Sequence, residues 1–215
     1  MKPLGLLLVL FSLTSTGFSI SCKSCWHMQG FPCHGLSFPC SSDQVCVASY
    51  NLVTTVTSES PKYTLSCGSR SQCNLNGSLT FNHGKVRTGT SCCDIDNCTP
   101  PSPTLPPVSS QKNGLTCPAC FSETSDYCYT SDKVECTGDE IKCGLMARRL
   151  SGTVTKNDSL RGCATRSYCE IFGNQTTTIQ ELNVDSKMFC SDGAVDLHVG
   201  LLGSIFAILL TKLLF

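Results

Sequence analysis

The chain has 215 residues and carries 16 basic and 16 acidic side chains, so its formal net charge at pH 7 is zero. This balance argues against general nucleic-acid binding, which needs an excess of Lys and Arg. The 18 cysteines all lie between Cys22 and Cys190, where they make up about one residue in ten, a density typical of small secreted domains held together by disulfides.

The chain begins with the pattern of a secretory signal peptide. A basic residue at position 2 is followed by a mostly apolar run at residues 4–13 and by the small residues Gly17 and Ser19. The run is shorter than the roughly 20 residues that cross a membrane. We therefore predict that residues 1–19 are a signal peptide cleaved before Ile20, although cleavage after Gly17 also fits. The mature chain then meets an oxidising environment, in which cysteines pair.

The next segments have the composition of β-hairpins. Residues 45–60 are rich in Val, Thr and Tyr, and a second strand-like run occupies residues 61–67 after a turn predicted near Pro61. Residues 78–89 contain an Asn-His-Gly sequence between two short apolar runs. This pattern predicts a strand, a tight turn and a return strand.

This part of the chain closes with the sequence CCDIDNC, from Cys92 to Cys98. Neighbouring Cα atoms lie about 3.8 Å apart, whereas a disulfide prefers roughly 5.5–6 Å. We therefore expect the adjacent Cys92 and Cys93 to bond to cysteines elsewhere and not to each other.

A proline-rich segment follows at residues 99–114, with five prolines and no apolar periodicity. Such a composition favours an extended, semi-rigid spacer. Proline-rich segments also dock into aromatic grooves, but the proteins that read them are mostly intracellular. We therefore interpret residues 99–114 as a linker.

The cysteine pattern then repeats after 95–98 residues. The positions of the first copy are Cys22, Cys25, Cys33, Cys40, Cys46, Cys67, Cys73 and Cys92. Those of the second copy are Cys117, Cys120, Cys128, Cys136, Cys143, Cys163, Cys169 and Cys190. Short motifs repeat as well, because CGSRSQC in the first copy matches CATRSYC in the second. Eight positions in register indicate two copies of one module.

The second copy has the same hairpin layout, with a turn predicted near Gly152 or Asn157. No long helical periodicity of apolar residues occurs outside the signal and the tail, so the mature chain is predicted to be nearly all β. Each module has about 75 residues, a size at which one hydrophobic core leaves little net stability. Disulfides therefore explain the cysteines, and no reactive thiol is needed.

The chain ends with the pattern of a glycosylphosphatidylinositol (GPI) anchor signal. Small residues follow the last cysteine, then a short spacer, then an apolar tail at residues 199–215. We predict attachment at Ser191, with Asp192 and Gly193 as alternatives. A membrane span or a secreted form are the other interpretations, because Lys212 is costly in such a tail although a charge near its end can snorkel.

These motifs resemble the Ly-6/uPAR (LU) family. The resemblance rests on ISCKSC at the mature start, the ten-cysteine spacing and the closing CCDIDNC, and it covers about residues 20–190. It implies an all-β fold of two tandem disulfide-rich three-finger domains, in which three hairpin loops leave a disulfide knot. The expected division is a signal peptide (1–19), a first domain (20–98), a linker (99–114), a second domain (115–190) and an anchor signal (191–215).

The family pattern also implies a disulfide connectivity, which spacing alone does not determine. In the first module it pairs Cys22 with Cys46, Cys25 with Cys33, Cys40 with Cys67, Cys73 with Cys92, and Cys93 with Cys98. In the second it pairs Cys117 with Cys143, Cys120 with Cys128, Cys136 with Cys163, and Cys169 with Cys190. The chain departs from the family pattern at Thr99, where an Asn usually follows the last cysteine, and the second module lacks the final cysteine pair.

Four sequences fit N-glycosylation acceptors, at Asn76, Asn97, Asn157 and Asn174. We expect Asn76 and Asn157 at hairpin turns, where a glycan is readily accommodated. Asn97 adjoins Cys98, and fast disulfide closure there can suppress its modification.

Charges in the second module are unevenly distributed. The segment for its first finger is mostly acidic, and the segment that follows is mostly basic. One interpretation is that two solvated fingers attract each other. The other is a cationic surface for a partner, with the candidate contacts Arg148, Arg149, Lys156 and Arg161.

The sequence predicts no catalytic, cofactor or metal site. CKSC and CPAC have C-x-x-C spacing, which in a cytosolic chain suggests zinc or redox chemistry, but behind a signal peptide we interpret both as structural. No nucleophile elbow, metal-binding His pair or phosphate loop occurs. We therefore predict a protein that is not an enzyme and that needs no cofactor or metal.

The family resemblance implies binding of an extracellular protein. The first hypothesis is a GPI-anchored receptor, adhesion or decoy protein on the outer leaflet of the plasma membrane. The alternative is a secreted or surface-tethered inhibitor of secreted phospholipase A2, since GLTCPAC, CTGDEIKC and LRGCATRSYC are similar to the gamma-type inhibitors. A toxin-like channel modulator is a third hypothesis, which no motif specifically supports.

Overall fold

A computed structural model describes residues 19–28, 33–179 and 181–192. Residues 1–18 of the predicted signal peptide and most of the predicted anchor signal lie outside these residues. No helix in the described ranges is long and apolar enough to cross a membrane. The prediction of a nearly all-β chain is confirmed for these ranges, with one short α-helix as the exception.

The first module contains seven strands, and a 3-10 turn at Arg70–Gln72 precedes the third finger. The strands are β1 (Ser21–Lys23), β2 (Cys25–His27), β3 (Ser37–Pro39), β4 (Gln44–Thr55), β5 (Glu59–Ser69), β6 (Asn76–Phe81) and β7 (Gly84–Cys93). Hairpin β4–β5 is the second finger and hairpin β6–β7 the third. The turn between β6 and β7 lies at the Asn-His-Gly sequence, as predicted.

The second module repeats this layout with seven more strands and helix α1 (Arg166–Ile171). The strands are β8 (Lys112–Pro118), β9 (Cys120–Ser122), β10 (Lys133–Thr137), β11 (Lys142–Gly152), β12 (Lys156–Ala164), β13 (Gln175–Ile179) and β14 (Leu182–Asp192). Thr165 begins α1 as its N-cap, because its hydroxyl accepts a hydrogen bond from the Tyr168 amide at 3.2 Å. The second finger is β11–β12 and the third is β13–β14.

Nine disulfides fix the bases of the fingers, and no described cysteine is free. The bridges are Cys22–Cys46, Cys25–Cys33, Cys40–Cys67, Cys73–Cys92, Cys93–Cys98, Cys117–Cys143, Cys120–Cys128, Cys136–Cys163 and Cys169–Cys190. This is the connectivity that the family resemblance implies, and every bridge lies within one module. The two adjacent cysteines therefore reach in different directions, Cys92 back to the third finger and Cys93 forward to the closing loop.

One predicted turn lies elsewhere, and for another turn one of the two alternatives is settled. The first long hairpin turns at residues 56–58, where the Thr55 amide donates to the Ser58 carbonyl at 2.8 Å, and Pro61 lies inside β5 opposite Leu52. The prediction near Pro61 was wrong because a proline is tolerated where a strand is paired on one side only, and β2 ends before it reaches Pro61. In the second module the chain turns just after Gly152, and Asn157 lies within β12.

The proline-rich segment lies on the first module and is not a free spacer. Pro100, Pro103 and Pro106 are buried. The Arg87 guanidinium on β7 donates to the Pro106 carbonyl at 3.3 Å, and the Ser91 hydroxyl bonds the Pro101 carbonyl. The segment is extended, as its composition predicts, but β7 determines its path.

A direct strand pairing joins the two modules. In register, β12 places Cys163 opposite Thr80 and Ala164 opposite Leu79 of β6. The approach is so close that a Cβ atom on Gly162 would lie 1.9 Å from the Thr80 carbonyl oxygen. The result is one antiparallel sheet with the order β13-β14-β11-β12-β6-β7-β4-β5-β2, with β9 also paired to β12.

The sheet curls until its two ends approach each other, so that β13 lies against β5. At this closure the Gln72 side-chain amide donates to the Ile171 carbonyl at 2.9 Å and also contacts the Gln175 side chain. The two modules therefore enclose a common interior.

The largest hydrophobic cluster belongs to both modules. Its buried members are Leu79, Phe81, Val86, Met146, Leu160, Ala164 and Tyr168. Each module alone has only small clusters built mainly around its disulfides. Most of the apolar packing away from the disulfide knots therefore forms only when the modules meet.

A buried carboxylate also connects the modules. Glu140, in the turn before β11, is 1% exposed. Its oxygens accept hydrogen bonds from Ser78 at 2.7 Å and from Thr80 at 2.8 Å, and they pair with the Lys85 ammonium at 3.2 Å. All three partners belong to the first module, so this acidic residue is an interface residue and not part of a solvated finger.

We expect Gly162→Ala to lower the thermal unfolding midpoint, because the added Cβ would force β12 away from β6. Overpacking of this kind costs about 1–3 kcal/mol. Gly173→Ala is the matched control, since a Cβ at Gly173 meets only ordinary contacts beyond 3.4 Å. Scanning calorimetry measures the unfolding midpoints of the two variants. An unchanged midpoint for Gly162→Ala would contradict the close pairing of β12 with β6.

We expect Glu140→Gln to destabilise the protein by about 1–3 kcal/mol. Lys85 would lose its charged partner, and the hydroxyls of Ser78 and Thr80 would donate to a neutral amide instead of a carboxylate. Glu135→Gln is the control, since Glu135 pairs with Lys112 on an exposed surface and such changes usually stay within about 0.5 kcal/mol. Urea unfolding measures both. Equal stability losses would mean that the Glu140 cluster does not hold the modules together.

Candidate binding site between the modules

The curled sheet borders a partly open cavity of about 570 Å³. Successive residues of a strand point to opposite faces, so every second residue of β4, from 47 to 55, and of β5, from 60 to 66, lines it. From the second module come residues of β11 to β14 and of α1. Both modules therefore build the cavity, and neither repeat contains it alone.

A charged pair lies on the wall that the second module contributes. Arg148 and Asp158 are opposite each other on β11 and β12, and two parallel hydrogen bonds of 2.8 Å join the guanidinium to the carboxylate. Burial acts to lower the pKa of Arg148, but the hydrogen bonds and charge of Asp158 outweigh this and raise it. Such bidentate pairing fixes the side chain and largely neutralises its charge.

The first module contributes a different cation, Lys62 on β5. Its ammonium lies 5.7 Å from the centre of the Trp26 ring. Burial lowers the pKa of Lys62, and the nearby charge of Arg148 lowers it further. The charge of Asp158 acts in the opposite direction and raises the pKa of Lys62. Within the described ranges, Lys62 forms no direct ion pair with a carboxylate, and the carboxylate of Glu123 also lines the cavity.

Tyr168 closes one side of the cavity. Its side chain is fully buried, its hydroxyl lies 3.7 Å from the Met146 sulfur, and its ring stacks at an angle on Phe172. Burial raises the pKa of Tyr168, so the phenol stays neutral at physiological pH. It serves here as a wall residue.

The cysteines offer no ligand set for a metal. Three groups of cysteine sulfurs lie close together at the knots, but every described cysteine is in a disulfide. In CKSC and CPAC each cysteine bonds to a partner outside its motif. A disulfide sulfur is not the thiolate that binds zinc, which fits the structural interpretation of both motifs.

The four basic residues proposed from the sequence do not form one surface. Arg148 faces the cavity, whereas Arg149 lies on the opposite face and donates to Asp126 at 2.8 Å. Hydrogen bonding to Arg149 lowers the pKa of Asp126, so the acidic first finger does attract the second. Lys156 is exposed at the start of β12, and Arg161 is half-buried. Their role in partner binding stays a prediction.

The four acceptor asparagines differ in accessibility. Asn76, Asn97 and Asn174 are exposed. Asn157 is half-buried within β12, opposite Arg149, because the hairpin turns just after Gly152, the first of the two predicted positions. Glycosylation itself stays a prediction at all four positions.

Apolar side chains project from the fingers into solvent. Val56, at the tip of the second finger of the first module, is 93% exposed. Tyr129, in the first finger of the second module, is 87% exposed. Phe121 and Tyr127 are also exposed in that finger. Aromatic side chains of this kind are typical of protein contact surfaces.

The sequence alone reveals neither the cavity with its residue Lys62 nor the buried Glu140. One signal was available, since residues 60, 62, 64 and 66 are all polar and alternate with Pro61, Tyr63 and Leu65. In a single module this pattern indicates a solvated face. Only the second module turns that face into the wall of an enclosed space.

Comparison with known proteins identifies the relatives of the chain. No family profile matches it. It is 30% identical over 192 residues to phospholipase A2 inhibitor NAI of Notechis ater, covering 87% of this chain and 95% of that protein. It is also 30% identical to a phospholipase A2 inhibitor of the gamma type from Laticauda semifasciata, covering 78% of this chain and 94% of that protein.

A shorter match is the urokinase plasminogen activator surface receptor of Rattus norvegicus, 27% identical and covering 61% of this chain but 39% of the receptor. The match to the crystal structure of mouse TEX101 covers 80% of this chain and 99% of TEX101, at 12% identity and with a TM-score of 0.35. The relatives with full-length coverage share the two-module length, and the nine disulfides and all-β hairpins fit the same family. The chain therefore belongs to the Ly-6/uPAR family, as an extracellular binding protein related to the phospholipase A2 inhibitors.

Proposed function

We propose that this protein is held on the outer leaflet of the plasma membrane by a GPI anchor and binds an extracellular protein with its fingers. The observation that carries the proposal is the display of exposed apolar side chains on hairpins that disulfides fix at their bases. A rigid loop loses little entropy when it binds, so such side chains contribute more to affinity.

The strongest candidate surface is the first finger of the second module. Tyr127 and Tyr129 are exposed there, and the Cys120–Cys128 bridge closes the loop beside them. The pair of Arg149 and Asp126 adjoins this finger on the outer face of the sheet. An aromatic centre beside a polar ion pair resembles the division of a protein interface into an apolar core and a charged rim.

The anchor proposal is supported by the exposure of the residues that follow the last disulfide. The last bridge holds Cys190 in β14, and Ser191 and Asp192 behind it are exposed. Lys142 hydrogen-bonds Asp192 and lowers its pKa. Attachment at Ser191 would remove Asp192 and this ion pair, whereas attachment at Asp192 or Gly193 would keep the residue.

A second candidate function is inhibition of secreted phospholipase A2. The observation that favours it is that the relatives named as inhibitors match along 94% and 95% of their own lengths. Inhibition and surface attachment are compatible, because an anchored inhibitor acts where a secreted enzyme meets the membrane.

We expect phosphatidylinositol-specific phospholipase C to release the protein from the surface of intact expressing cells, because only a glycolipid is cleaved by this enzyme. Flow cytometry follows the loss of surface signal, with a known GPI-anchored protein and a known transmembrane protein measured in parallel. Retention while the GPI-anchored control is shed would contradict the anchor. Recovery of the whole product in untreated medium would equally contradict it.

We expect the protein to bind a secreted phospholipase A2 and to slow its hydrolysis of vesicles, with Tyr129→Ala weakening binding about tenfold. Ile95→Ala is the matched control, because Ile95 is exposed in the closing loop of the first module, on a base and not on a finger. Arg149→Glu should slow association, and raised salt should weaken wild-type binding. Biolayer interferometry against a panel of secreted enzymes measures these effects. No binding to any enzyme would remove the inhibitor candidate and leave the surface-binding proposal to be judged separately.

A further inference from the structure

The cavity between the modules is too large to be a packing defect. Protein interiors hold few voids larger than a water molecule, and an unfilled apolar space costs stability in proportion to its volume. At about 570 Å³ the cavity is within the range of roughly 300–1,000 Å³ that small-molecule sites occupy. Its size is that of a ligand site.

Apolar atoms make up most of the lining surface, although about half of the lining residues are polar. Val47 and Val53 of the first module face Met146, Leu160 and Ile179 of the second. Walls of this kind favour a hydrocarbon chain, because each buried methylene gains about 0.8 kcal/mol. The polar positions then decide which end group such a ligand carries.

The surroundings of Lys62 favour an anion beside its ammonium, whereas the carboxylate of Glu123 lines the cavity where it is exposed to solvent. Asp158 is fully engaged with Arg148 through both of its oxygens, while Lys62 forms no carboxylate ion pair among the described residues and contacts the Trp26 ring. The quadrupole of the ring attracts the ammonium but carries no net negative charge. An anionic group beside Lys62 would supply the missing countercharge in a poorly solvated site.

We propose that the cavity between the two modules binds a long-chain fatty acid, with its hydrocarbon chain along the apolar wall and its carboxylate at Lys62. A single cation matches a single negative charge, so a fatty acid fits better than a phosphate carrying more charge. A zwitterionic choline head group would bring a second cation toward Lys62 and Arg148, which is unfavourable.

The ligand has a route into the cavity. Met28, His83 and Phe121 line the cavity and are also exposed to solvent, as is Glu123. Residues that meet both conditions mark where the interior opens. The exposed aromatic residues that we propose for protein binding, Tyr127 and Tyr129, do not line the cavity, so this site is separate from that surface and does not depend on it.

The test uses protein expressed from the full-length sequence in mammalian cells, purified and stripped of lipid. Displacement of the fluorescent probe cis-parinaric acid by oleate gives the affinity. We expect saturable binding of about one oleate per chain, weakened about tenfold or more in Lys62→Met and retained in Lys62→Arg. Lys133→Met is the matched control, because Lys133 is exposed on β10 and does not line the cavity.

Two further measurements separate the tail from the head group. Oleyl alcohol, which has the same chain but no charge, should bind wild type and Lys62→Met equally. Thr177→Phe places a ring in the cavity from the edge strand β13 and should weaken oleate and oleyl alcohol alike, with thermal unfolding confirming that the variant folds. Absence of probe binding, equal oleate affinity in Lys62→Met, or tighter binding of lysophosphatidylcholine than of oleate would each overturn the proposal.

Discussion

The pairing of β6 with β12, at two residue pairs, turns two small hairpin modules into one curled sheet. It requires a bare backbone at Gly162, because any side chain there would meet the Thr80 carbonyl oxygen. The same approach brings Glu140 over the hydroxyls of Ser78 and Thr80 and beside Lys85. A buried carboxylate needs several such partners, so the polar cluster fixes how the modules meet while the apolar contacts supply most of the attraction.

Disulfides and packing hold different parts of this molecule. The bridges constrain each module's base, where small domains lack enough core to be stable. The shared apolar cluster, with Leu79 and Phe81 from one module and Leu160 and Tyr168 from the other, lies away from the knots. The fingers can therefore be firm at their bases through covalent bonds, while the interior between the modules depends on non-covalent contact at the junction.

This arrangement gives the protein two faces with different chemistry. The outer face presents Arg149, paired with Asp126, near exposed aromatic residues of the fingers, which suits a large protein partner. The inner face presents Lys62 and the Arg148–Asp158 pair in a mostly apolar space, which suits a small amphipathic ligand. The neighbouring Arg148 and Arg149 lie on different faces because successive side chains of a strand point to opposite sides.

The sequence by itself determined the two copies, the all-β class, the hairpins and, through family resemblance, the disulfide pairs, because cysteine spacing and the alternation of apolar residues are local patterns. It located the turn at Asn82 and His83 correctly but misplaced the one near Pro61, since a proline also fits a strand paired on one side. Only the tertiary structure decided that the proline-rich segment lies on β7, that Glu140 is buried, and that Lys62 faces an interior. A period of two shows which residues share a face, but whether water or a second module covers that face depends on contacts between residues about 60 to 100 positions apart, which no local pattern records.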